Sequence, residues 1–145
     1  MDKRKYSNFK IALVLIFVAT IIACIGTQIA SAGTLVKQYD FGFYSGGSNP
    51  QYSPTFTANS SVVSITGWQV SQNGTPSVGY AIARLNWTGS YTTLTSTQYV
   101  NDTYPSSSWF APLNFTNIPD SSWLSLKAST TMMQTTCGAN IYDGW

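Results

Sequence analysis

Residues 33–145 predict an all-β chain that folds as a single jelly-roll-like β-sandwich of seven to eight short antiparallel strands after an N-terminal signal segment. Three observations lead there. No stretch after residue 32 shows helical periodicity over a useful length. Short runs of Val, Ile, Thr, Tyr, Phe and Trp recur, each bounded by Gly, Pro, Asn or Ser. Within several runs, large apolar residues alternate with polar ones, the period of a strand with one wet face.

Residues 1–32 read as the signal segment and 33–145 as one domain. Lys3, Arg4, Lys5 and Lys10 make a positive start, Ile11 to Gly26 an apolar run, and Ala30-Ser31-Ala32 a small-x-small cleavage site before Gly33. Two rival readings keep the chain on the membrane through this segment alone: a lipid on Cys24, which follows a small residue, or an uncleaved anchor. The apolar run is shorter than the ~20 residues a spanning helix wants. Secretion is the expectation.

Strands are expected near Leu35–Phe43, Thr55–Ala58, Ser61–Ser71, Ser77–Trp87, Thr93–Val100, Ser108–Asn117, Trp123–Thr131 and Ala139–Tyr142. The intervening "YSGGSNPQYSP", "SQNGTPS", "NDTYPSS" and "IPDSS" carry the turn residues. In "SWLSLKAS", Leu124, Leu126 and Ala128 share one face, and Trp123, Ser125 and Lys127 share the other. In "SVVSITGWQVS", Val63 and Ile65 have one parity while Trp68 and Val70 have the opposite, so a bulge at Gly67 is expected to return the later pair to the core. "VGYAIARLNW" is partly apolar on both faces and reads as a central strand.

The order "PTFTANSSVVSITGW", "VGYAIARLNW", "LNFTNIPDSSWLSLKAST", "CGANIYDGW" resembles small secreted bacterial β-sandwich domains of the prepeptidase C-terminal type. That resemblance implies a jelly-roll-like sandwich with no enzyme activity of its own.

Composition excludes several chemistries. After residue 32 the cations are Lys37, Arg84 and Lys127 and the anions Asp40, Asp102, Asp120 and Asp143, a net charge of −1. Three scattered cations cannot displace counterions from a phosphate backbone, so nucleic acid is not a partner. The chain has no His and no Glu. Ser-His and Cys-His nucleophiles, His metal ligation and Glu general acids are therefore absent. No enzyme and no cofactor are expected. Calcium takes oxygen ligands alone, and Asn101 with Asp102, or Asp40 with Asp143 if the first and last strands pair, are the residues that could supply them. Cys137 is the one thiol after residue 32. It reads either as a buried small hydrophobe or as half of an intermolecular disulfide.

The aromatic load is what composition leaves over. Five Trp, eight Tyr and five Phe follow residue 32, more than a core of this size needs. Trp123 opposes Leu124 and Leu126 and is expected to face solvent. Tyr91, Tyr99 and Tyr104 lie among hydroxyls and amides in the ribbon Leu85–Phe110, whose Leu85, Trp87, Trp109 and Phe110 are assigned to strands that bury at least some of these rings. Asn59, Asn73, Asn86, Asn101 and Asn114 each begin an N-x-[ST] sequon.

The leading functional expectation is non-catalytic extracellular interaction or assembly at a cell surface or matrix, with the chain itself as one possible partner. Thr- and Tyr-rich edges with few Lys guards favour pairing between copies. The alternative is a carbohydrate-binding module that stacks sugars on Tyr91, Tyr99, Tyr104 and Trp123.

Overall fold

The computed structural model describes residues 33–119 and 121–144. Residues 1–32, read above as a signal segment and including Cys24, and Asp120 and Trp145 lie outside the described residues.

Ten strands form two antiparallel sheets. Beta-branched and aromatic runs supply β1 (Thr34–Phe43), β4 (Val63–Ser71), β5 (Val78–Leu85), β8 (Phe110–Phe115), β9 (Ser121–Thr130) and β10 (Thr135–Asp143). Between them lie the short β2 (Gln51–Tyr52), β3 (Phe56–Ala58), β6 (Tyr91–Thr93) and β7 (Gln98–Val100). The first sheet runs β1-β10-β4-β8 and the second β2-β9-β5-β6, with β3 also on β9 and β7 also on β5.

One face of each sheet builds the core. Phe41, Phe43, Val63, Ile65 and Ile141 from the first meet Val78, Tyr80, Ile82, Leu124 and Leu126 from the second, all nearly or fully buried. Each such side chain contributes roughly 1.5–3 kcal/mol on burial. The alternation read in β9 is the one observed: Leu124, Leu126 and Ala128 are buried in the core.

Three expectations about the strands are corrected. The Thr93–Val100 strand is two pieces, β6 and β7. Between them the Thr95 hydroxyl takes the Ile82 amide proton at 3.0 Å, and the Leu94 amide reaches the Ile82 carbonyl at 2.8 Å. Side chain thus replaces backbone in the ladder, which single-strand propensity does not register. The final strand begins at Thr135, earlier than Ala139.

No bulge returns Trp68 and Val70 to the core. Odd parity holds through β4, so Gln69 enters the interior while Trp68 and Val70 stay on the outer face. The irregularity lies across the ladder: Ile65 pairs Leu113 and Gly67 pairs Phe110, two steps on β4 against three on β8. Pro112, which has no amide proton to give, falls within that extra step on the edge strand.

Candidate functional site: the outer face of the second sheet

Register assembles three of the four proposed sugar-stacking residues on one surface. Ser129–Gly79–Tyr99 form one row across the outer face of the second sheet. Lys127–Ala81 and Ser125–Ala83–Thr93 form the next two. Leu85 pairs Tyr91, and continuing the β5–β9 register places Trp123 beside Leu85 on the far side. From the Gly79 row to the Leu85 row is six residues, about 20 Å of strand.

The middle of this face is roofed by its own side chains. Tyr52 starts beside Lys127 and Tyr91 beside Leu85, yet their rings stack with centroids 3.8 Å apart and planes 7° from parallel. The only line between those positions crosses Ser125 and Ala83. That explains why Ala83 and Ser125 are fully buried although they point away from the core, and why the Ser125 hydroxyl has no partner. The Lys127 ammonium adds a second tie, donating to the Thr93 hydroxyl at 3.3 Å.

Both ends stay open and aromatic. At one end Trp87, 97% exposed, and Trp123, 58% exposed, frame a recess of about 540 Å³ floored by Leu85, with Asn86 and Gly89 at its rim. The Asn86 amide is held by hydrogen bonds donated to Ser90 Oγ (3.2 Å) and Thr92 Oγ1 (3.0 Å). At the other end the Tyr99 ring lies directly over Gly79: a Cβ there would come within 2.8 Å of the ring and 2.7 Å of the Thr97 methyl. Tyr99 is 62% exposed beside a smaller pocket of about 180 Å³ lined by Asn49, Ser77 and Thr130.

The fourth, Tyr104, is not brought there. Tyr104 packs edge-on against Phe110, with centroids 5.9 Å apart, and its backbone bridges Gln69. It belongs to the rim of the core. Trp87, assigned to a strand that would help bury such rings, instead stands almost wholly in solvent because β5 ends at Leu85. Tyr52 was missed: it sits in a turn-rich stretch, and only its long-range pairing with β9 reveals it.

The calcium pairs are not assembled. β1 and β10 do pair, but Asp40 faces Gly138 while Asp143 faces Thr34, five pairs away along the ladder. The Asp143 carboxylate accepts the Asn59 and Ser60 amides at 2.8 and 2.9 Å, closing a turn. Asn101 Oδ1 accepts from the Ser77 hydroxyl, and Asp102 Oδ1 accepts the amide of the next residue. Among the described residues no three carboxylate, thiol or imidazole groups converge on a point.

Cys137 lies fully buried in the core. Burial pushes its thiol up to about 12, with the nearby Asp40 charge acting in the same direction and a hydrogen bond with Tyr80 opposing it. An intermolecular disulfide there would require the sandwich to open, so that candidate is corrected to a core thiol.

The open edges of the first sheet also offer copies of the chain little to pair with. β1 carries an irregularity between Leu35 and Lys37, and β8 carries its own with Pro112. Gln98 Nε2 occupies the Asn114 carbonyl at 2.8 Å. Bulges, Lys and Pro are devices that discourage edge pairing.

No protein-family model matches the chain, and no curated protein does. Among solved structures, it is similar to the CBM22-1–GH10 modules of the Clostridium thermocellum N-terminal endo-1,4-β-D-xylanase 10B complexed with xylohexaose: 10% identity, 75% of this chain and 25% of that one, TM-score 0.39. It is also similar to the CBM22-1 xylan-binding domain of Paenibacillus barcinonensis Xyn10C: 15% identity, 74% and 80% covered, TM-score 0.36. A third is the carbohydrate-binding module CBM6cm-2 of Cellvibrio mixtus lichenase 5A in complex with cellotriose: 13% identity, 80% and 92% covered, TM-score 0.38. The chain spans a quarter of the first of these. At such identities and TM-scores these likenesses carry no argument about ligand, which rests on the chain's own surface.

Proposed function

We propose that the chain is a non-catalytic, extracellular polysaccharide-binding protein that holds an extended sugar chain on the outer face of its second sheet. The observation that carries this is the pair Trp87 and Trp123, two exposed indoles framing a 540 Å³ recess on the far side of the sheet from the core. Indole is expensive to leave in water, and grouped exposed rings mark an interaction surface. Sugars offer a flat apolar C–H face to stack on such rings and hydroxyls for neighbouring polar groups. Asn86 supplies a polar group at the rim, already ordered by its hydrogen bonds to the Ser90 and Thr92 hydroxyls. The Tyr52–Tyr91 stack keeps the middle of the face from collapsing between the two aromatic ends.

The test is retention of residues 33–145 on a panel of insoluble neutral polysaccharides. At least one should retain the protein, and Trp123→Ala or Trp87→Ala should weaken that binding by about 2 kcal/mol, roughly 30-fold, as loss of a central indole does. Trp87 stands almost wholly in solvent, so Trp87→Ala should keep the parent melting temperature. No retention by a folded parent, or retention indifferent to both substitutions, overturns the reading.

A further inference from the structure

A second cleft lies on the opposite side of the molecule, on the outer face of the first sheet. Asp40, Gly138 and Trp68 are direct register neighbours on β1, β10 and β4, and Gln38 and Asn140 pair one row along. Trp109, just before β8, completes a cleft of about 370 Å³. That lies within the ~300–1,000 Å³ typical of small-ligand sites.

Glycine makes the floor. A Cβ on Gly138 would fall 2.3 Å from Trp68 Nε1 and 2.4 Å from Asp40 Oδ1. The indole and the carboxylate therefore close over the same bare backbone, a position no other residue could hold without displacing them.

The polar inventory of the cleft leans one way. Trp109 Nε1 is spent on the Ser106 carbonyl at 2.8 Å, so this ring offers its face and edge only, and it is 43% exposed. Gln38 Nε2 donates one N–H to Asn140 Oδ1 at 2.7 Å, and Asn140 Nδ2 donates one to the Tyr142 hydroxyl at 3.4 Å. The carboxylate stays available: exposed Asp40 makes no hydrogen bond or ion pair among the described residues. Two indoles beside one carboxylate that no cation neutralises make a site that attracts a cation. Indole faces draw ammonium groups by cation–π attraction, and the carboxylate adds a charge-assisted hydrogen bond.

We propose that this cleft binds an amino sugar in its protonated form, the ammonium on Asp40 and the ring against Trp68 and Trp109. The site shares no residue with the Trp87–Trp123 recess and stands independently of it.

Calorimetric titration of residues 33–145 with a glucosamine oligomer and with its N-acetylated counterpart tests this directly. The free amine should bind at least tenfold more tightly than the neutral acetamide. Asp40→Asn should erase that preference, Trp68→Ala should remove binding, and Trp123→Ala should change neither. A lysine oligomer of matching charge controls for bare attraction to an acidic surface and should bind far more weakly. Equal affinity for both sugars, a preference that survives Asp40→Asn, lysine binding as tight as the amino sugar, or no heat with either sugar each overturns the proposal. Asp40 is exposed, so its variant should melt with the parent and leave the readout interpretable.

Discussion

Gln69 occupies a position in β4 where its neighbours on the same face, Val63 and Ile65, are apolar and fully buried. The amide is tolerated because every atom of it is used. Nε2 donates to the Val100 and Asp102 carbonyls at 2.9 and 2.8 Å, and Oε1 accepts the Tyr80 hydroxyl at 3.2 Å. Gln69→Leu would strand two carbonyls and a phenol in the interior, where each unmade bond costs about 1–3 kcal/mol. Urea denaturation should show a loss of about 3 kcal/mol, larger than the average core substitution. Next to this network, burial holds the Cys137 thiol up at about 12 and raises the Tyr80 phenol well above its ordinary range. An unfolded thiol ionises near ~8.5. Below that pH both states keep the proton and the contribution to stability is whole. Between it and about 12 the unfolded state ionises first, and stability falls by up to ~1.4 kcal/mol per pH unit. The stability gap between the parent and Cys137→Ala should therefore narrow steadily above pH ~9, as read by urea midpoints across a pH series. Native Cys137 should also resist thiol reagents until denaturant is added. The core face of Cys137 was legible from its period-two spacing with Ala139 and Ile141. The role of Gln69 was not, because an amide flanked by Trp68 and Val70 reads as the outward residue until its partners, from Pro76 to Asp102, are known.

Among the elements, β9 and β5 show how the middle of a sheet can be buried on both faces without a third layer. Small residues on the outer side, Ala81, Ala83 and Ser125, leave room for Tyr52 and Tyr91 to close over them from flanking strands. A stacked pair is worth about 0.5–1.5 kcal/mol beyond its buried area. A double-mutant cycle with Tyr52→Leu and Tyr91→Leu should return a coupling energy of that size. Additive effects would mean that the rings do not meet in solution. The opposed faces of β9 were readable from alternation alone. The mixed pattern of β5, apolar on both parities, correctly marked a central strand covered on both sides. What covers it could not be read, since Tyr52 and Tyr91 are remote in sequence and their meeting depends on the order β2-β9-β5-β6.

At the scale of the whole molecule, eight expected strands became ten, and the sandwich and the central position of β5 followed from turn spacing and alternation. The division into two sheets did not, because antiparallel strands of similar composition carry no label for their partners. The same limit governed the sites. Trp123 was chosen for solvent-facing parity, and Tyr91 and Tyr99 as rings among hydroxyls and amides; register then gathered the three on one face. Trp68 and Asp40 meet over Gly138 only because β1 and β4 both pair with β10. The recess at the other side has a practical consequence that turns on Asn86, whose side-chain nitrogen lies at its rim and begins an N-W-T sequon. A host that attaches oligosaccharides to exported proteins would place one on the nitrogen that now bonds Ser90 and Thr92, and the recess would hold the chain's own glycan. Protein made in such a host should run heavy on a gel and fail on polysaccharide columns, while bacterially produced protein binds; enzymatic trimming, which leaves Asn86 in place, should close the gap between the two preparations.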